Sequence, residues 1–200
     1  MKRIAGACVL LLAACSSNPP TPDWQMNAKS ASERSTAAYL TGNTRIDAAE
    51  LARVRAEVAR TGRADLLARV ELAHCAAQVA SLVLEPCNAF EPLRAQVSDT
   101  ERAYADRLAG RPAAPEPTGL QGIADPLSRL VAAGVLFRAG RADPRVIQVA
   151  IDTASAQGWR RPLLAWLNVA LRRSEAGGAG DESQALRQRI AIVLGGAPAP

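Results

Sequence analysis

Histidine occurs once in this chain, at His74, and lysine only twice, at Lys2 and Lys29. One histidine excludes a histidine-rich metal centre, and neither a CxxC nor an HExxH spacing offers another metal motif. GxSxG, a Walker loop and GxGxxG are missing as well, so the local signatures of hydrolase elbows, NTPases and dinucleotide folds are absent. Gly177-Gly178-Ala179-Gly180 lacks the preceding strand that a phosphate-cradling loop requires, and reads as an interhelical loop. Aromatic residues are scarce, at 4% of 200 positions. No stretch is long and charge-free enough to cross a bilayer, which takes about 20 apolar residues. What is abundant is alanine, arginine and leucine, in a chain that is 48% hydrophobic and 22% charged. That composition is globular and favours helix. The length suits one compact domain or at most two small ones.

The N-terminus carries an address. Lys2 and Arg3 precede the apolar run Ile4 to Leu12, which has the length of a signal-peptide core. Leu12-Ala13-Ala14-Cys15 follows, and then Ser16-Ser17-Asn18-Pro19-Pro20. An aliphatic residue, two small residues and a cysteine in this position resemble the lipobox of a bacterial lipoprotein precursor. The resemblance covers the export segment alone. It implies that residues 1–14 are a signal peptide, that Cys15 receives a diacylglyceryl group, and that the new amine is acylated after cleavage. Two or more acyl chains anchor a protein stably, so the implied partner is a membrane. Ser16 stands where an aspartate would signal inner-membrane retention in enterobacterial lipoproteins. The implied location is therefore the periplasmic face of the outer membrane. Lys2 and Arg3 are the only charges before Cys15, so cleavage lowers the formal net charge from +5 to +3. A body this weakly basic argues against nucleic-acid binding.

Residues 15–23 read as an extended, lipidated tether, reaching roughly 25 Å at about 3.1 Å per residue. Beyond it, helical signals dominate, and the expected class is all-α: an irregular helical bundle, or a short stack of helical hairpins like tetratricopeptide repeats. Residues 24–110 form an N-terminal helical part, 111–119 a proline-rich linker or surface loop, 120–195 a C-terminal helical part, and 196–200 a frayed tail. Thr44 and Asp47 start a helix over Leu51, Val54 and Val58 that Gly62 stops. Another is expected from Asp65 to Leu84, ahead of Pro86. Asn88 to Ala109 holds one or two more, with Ser98-x-x-Glu101 as a capping box. Asp125-Pro126 and Asp143-Pro144 each set an N-cap acid before a first-turn proline, Pro162 opens a further helix, and Asp181-x-x-Gln184 caps the last. Thr61-Gly62-Arg63-Ala64-Asp65 returns faintly in Ala139-Gly140-Arg141-Ala142-Asp143, without a clean 34-residue period.

Four groups of residues invite a functional reading. Cys75 and Cys87 stand either as a disulfide or as two buried thiols. If the helix runs to Leu84, the chain reaches back only by doubling straight along it, and a helix ending near Ala80 would ease the bridge. His74 adjoins Cys75, but helical neighbours point about 100° apart and form no ready pair. Glu71 and Asp65 are carboxylates whose spacing suits salt bridges better than acid–base work. Trp159, Arg160 and Arg161 form the most distinctive patch. They are either a grip for an anionic lipid or cell-wall group, or packing and ion-pair residues. Leu163 to Leu171 is apolar nearly all round, which places Trp166 and Leu167 in the core. No catalytic, metal or cofactor site emerges. The reading that follows is a non-enzymatic envelope adaptor with an envelope protein partner. The alternatives are a ligand-binding lipoprotein using Trp159, Arg160 and Arg161, and a hydrolase with an acidic pair.

Overall fold

The computed structural model describes residues 20–111 and 117–195. The signal peptide, Cys15, most of the tether, positions 112–116 of the linker and the 196–200 tail lie outside the described residues. Within them the chain is all-α. Its helices are α1 (Asp23–Thr41), α2 (Thr44–Ala59), α3 (Ala64–Ala80), α4 (Asp99–Leu108), α5 (Pro126–Arg138), α6 (Pro144–Ala156), α7 (Arg160–Ala176) and α8 (Gly180–Val193). Short 3-10 stretches cover Glu91–Gln96 and Pro117–Gly122.

Capping side chains place many of these boundaries. Asn43 accepts from the Ile46 N–H ahead of α2, while Asp125 and Asp143 accept from Ser128 and Val146 ahead of α5 and α6. Ser98 and Glu101 close the expected capping box on α4. Three helix starts differ from the sequence reading. Asp23 is the first residue of α1 rather than the last of an extended tether. α7 starts at Arg160, so Pro162 sits inside its first turn, where a missing N–H costs nothing. α8 starts at Gly180 with Ala179 as its cap, and Asp181 lies in the first turn, where its charge suits the dipole.

The end of α3 is the informative departure. The helix stops at Ala80, four residues before the expected Leu84, with neither glycine nor proline to halt it. Leu82 takes φ 59°, the left-handed conformation that Gly140 supplies after α5 at φ 69°. Both ends carry the same pair of bonds: Val83 and Leu82 N–H reach the Gln78 and Val79 carbonyls, as Arg141 and Gly140 reach Leu136 and Phe137. A leucine in this conformation costs about 1–2 kcal/mol, which tertiary contacts must offset. Two such ties are present. Trp166 Nε1 donates to the Ala80 carbonyl at 3.1 Å, satisfying a helix-end acceptor. Cys75 and Cys87 are paired, with their Cα atoms 5.8 Å apart, because the early stop brings the chain back along the helix.

One core joins α3, α5, α6 and α7, from Ala68 to Val169, and so takes residues from both sides of the 111–119 segment. Trp166 and Leu167 lie at its centre, fully buried, and no residue of Leu163–Leu171 is exposed. The Phe137 and Trp166 rings meet edge to face at 5.8 Å. Gly134 lets α5 press against α3, since a Cβ there would lie 2.3 Å from the Val79 carbonyl oxygen. A smaller cluster of Ala28, Ala31, Leu51, Val54 and Val58 holds the α1–α2 hairpin together, with Trp24 packed against it. Tyr39, Leu40 and Ala77 then join α1 to α3, flanked by Leu127 and Trp159. Consecutive helices from α5 to α8 pack as two hairpins whose first helices begin 34 positions apart, at 126 and 160. That spacing escapes the sequence because the glycine turns recur on a different offset from the helix starts.

Candidate docking groove

The face of α1 from Ser32 to Leu40 does not face the core along its whole width. Ser32, Glu33, Thr36, Ala37 and Leu40 recur at helical spacing and, with Trp159, line an open hollow of about 330 Å³. On the other side of Thr36 lies a second hollow of about 310 Å³, lined by residues of α3, α4 and α5 that include Leu72, Ala73, Tyr104 and Leu127. Thr36 lines both, so the two hollows adjoin at this residue and together make up the candidate groove, with Trp159 in one and Tyr104 in the other. Its floor is apolar and its rim is charged. Glu33, Glu101 and Asp125 line it with one guanidinium, Arg69, which Glu101 binds, while Glu33 lies 4.0 Å from Lys29 Nζ and Asp125 accepts from the Ser128 N–H.

One rim carboxylate, Glu101, is held ionised by its surroundings. Glu101 accepts from the Ser98 N–H at 2.9 Å and the Ser98 hydroxyl at 2.8 Å, and with Arg69 these bonds pull its carboxyl below the ordinary value. The Tyr104 phenol is pushed above its ordinary range, first by desolvation against the groove wall and then by the Asp125 charge. Tyr104 remains exposed, which gives the groove an aromatic contact and a neutral hydroxyl donor.

Beneath α1 lies a buried polar cluster that sequence reading missed. Ser35 Oγ donates to Asp47 Oδ1 at 2.8 Å, and His74 Nε2 lies 3.3 Å from Asp47 Oδ2. The Tyr39 ring meets the His74 ring edge-on at 5.4 Å. Here the acid stands between the serine and the histidine, whereas nucleophile activation needs the histidine in the middle. The adjoining space is about 10 Å³, near the lower limit for a single water. The cluster therefore ties α1, α2 and α3 together. Glu71 does the same through two 2.6 Å bonds from Arg55, while Asp65 pairs with Arg63, so these two carboxylates do not converge. The only advance signal was a serine, an aspartate and a histidine on the inner faces of three neighbouring helices.

The structure divides the Trp159, Arg160 and Arg161 patch. Trp159 is half-buried and lines the hollow beside α1, and Arg160 is exposed. Arg161 turns inward instead: its Nε donates to the Tyr39 carbonyl at 2.7 Å and Nη2 to Thr44 Oγ1 at 2.9 Å. Its guanidinium also lies 4.3 Å from the Tyr39 ring centroid. A cation at the C-terminal end of α1 suits that helix's dipole. The expected pairing of these arginines with carboxylates is thus replaced, at Arg161, by a carbonyl, a hydroxyl and a ring. Among the described residues no group of three or more His, Cys, Asp or Glu side chains is placed to hold a metal. No protein-family model matches the chain, and comparisons with curated proteins and with solved structures return no match.

Proposed function

We propose that this chain is a lipid-anchored envelope lipoprotein, facing the periplasm from the outer membrane, and that it acts as a non-enzymatic helical adaptor. The anchor rests on Leu12-Ala13-Ala14-Cys15 behind a short charged and apolar segment. Among the described residues no helix is long and apolar enough to cross a membrane, in keeping with attachment through Cys15. The observation that carries the adaptor reading is the groove along α1, whose open shape, apolar floor and exposed Tyr104 fit a protein segment better than a small molecule. Arg161 is spent on joining α7 to α1, which leaves the tryptophan–arginine turn with one free cation, too little for a bidentate anion site.

Two measurements test this. Cys15→Ser is expected to leave an uncleaved, unlipidated precursor, and normal maturation with membrane fractionation would refute the anchor. A photo-crosslinking residue at Thr36 or Ala73 is expected to capture a discrete protein in intact cells, where the same residue at Arg145 on α6 captures none. Equal capture at all three positions, or none at any, would remove the adaptor reading.

A further inference from the structure

We infer that the hollow between α6, α7 and α8 binds a zwitterion, an amino acid or short peptide with a free amine and a free carboxylate. It lies apart from the groove beside α1 and stands independently of the adaptor reading. Ile147 and Gln148 of α6, Ala170, Arg173 and Ser174 of α7, and Glu182 of α8 line a space of about 320 Å³. The α7 residues recur at three and four positions, so they share one side of that helix. α6 and α8 both pack on α7, and Arg189 of α8 donates to Ser155 Oγ of α6 at 3.4 Å, 34 positions away. Gln148 and Glu182 line the hollow at the same spacing. Ser174 fixes the remaining corner. Its hydroxyl lies 2.9 Å from Ser183 Oγ and 3.1 Å from the Ala179 carbonyl oxygen, which ties the start of α8 to the end of α7.

Charge selects the ligand. Arg173 and Glu182 carry opposite charges into one hollow, yet no ion pair joins them, and among the described residues neither side chain has another bonded partner. Glu175 and Arg187, from the same two helices, do pair at 2.6 Å. Helix ends accommodate the two unpaired charges: Arg173 sits in the last turn of α7 and Glu182 in the first turn of α8, where each sign suits the dipole. A simple anion beside Arg173 would be repelled by Glu182, and a simple cation beside Glu182 would be repelled by Arg173. A molecule with both charges satisfies both walls, its carboxylate accepting from the guanidinium fork and its ammonium donating to Glu182. Gln148 spends an amide N–H on Asp152 Oδ1 at 2.8 Å, which leaves its side-chain carbonyl as a second acceptor for that ammonium. Ile147 and Ala170 supply the apolar contact between the two ends. The volume stands at the low end for small-molecule pockets, which limits the ligand to a few residues.

Alanine, dialanine and trialanine, titrated against the full-length chain by ligand-observed NMR, test the site, each beside its N-acetylated and C-amidated forms. For at least one length the free form is expected to bind about ten-fold more tightly than either blocked form. Glu182→Gln should bring the free and acetylated forms to nearly equal affinity while the amidated form stays weak. Arg173→Gln should do the converse. Both side chains are exposed, so circular dichroism and the melting temperature should not change. Equal binding of free and blocked probes would overturn the inference, as would no binding at any length. So would variants that discriminate as the unsubstituted chain does, and preferred binding of the acetylated probes would replace the zwitterion with a plain anion.

Discussion

Trp166 joins packing to hydrogen bonding at one point. Replacing it with alanine removes the largest fully buried side chain and also strips the Ala80 carbonyl of its partner. Truncation of a core tryptophan costs about 3–5 kcal/mol, a large share of a domain's stability. Trp166→Ala is therefore expected to lower the urea midpoint and melting temperature steeply, whereas Arg160→Ala, exposed and without a bond to the core, should leave both nearly unchanged. Denaturation curves of the two variants check this. The burial of Trp166 was legible because the Leu163–Leu171 stretch around it is apolar nearly all round. The role of Arg161 was not, since a carbonyl acceptor 122 positions away leaves no trace in local spacing.

Among the helices, ends fixed by local chemistry were easier to read than the one fixed by tertiary contacts. Asp125 and Asp143 announce α5 and α6 through chemistry that acts within three residues. The end of α3 depends instead on a tryptophan from α7 and a disulfide, so periodicity alone carried the helix too far. Closing a loop of this length is worth about 3 kcal/mol in the chain-entropy model. The double variant Cys75→Ala/Cys87→Ala should accordingly lose about 2–4 kcal/mol, and the unsubstituted chain should become protease-sensitive near Leu82 when reduced. Equal stability with and without reductant would contradict this. α4 predicts a second dependence. Glu101 is held below its ordinary 4.5 by Ser98 and Arg69, and Asp106 below its ordinary 3.8 by Arg94 and then Arg111. The unfolded chain takes up these protons first, so stability present at neutral pH drains away as pH falls through the depressed values. Glu101→Gln should weaken the protein at pH 7 and flatten its acid dependence below about pH 4.5, as pH-resolved thermal melts would show.

At the scale of the whole molecule, helical class and most inward faces were readable, because a 3.6-residue pattern is local and one-sided burial writes it directly into sequence. The docking groove was not readable. It is lined by residues of α1, α3, α4 and α5 and by Trp159, which come from five separate stretches of chain. The same holds for the buried Ser35, Asp47 and His74 cluster, whose members become neighbours only when three helices pack.

The bond from Trp166 to Ala80 crosses 86 positions, and it also sets a timetable. A ribosome delivers α3 well before α7, so for that interval Leu82 is asked to hold a left-handed turn while the indole that steadies it is still unmade. The first three helices therefore leave the ribosome as an unfinished surface, with Val79 and Ala80 uncovered, and their own sequence cannot complete it. Assembly waits on the arrival of α7, which makes the last third of the chain the element that licenses the first.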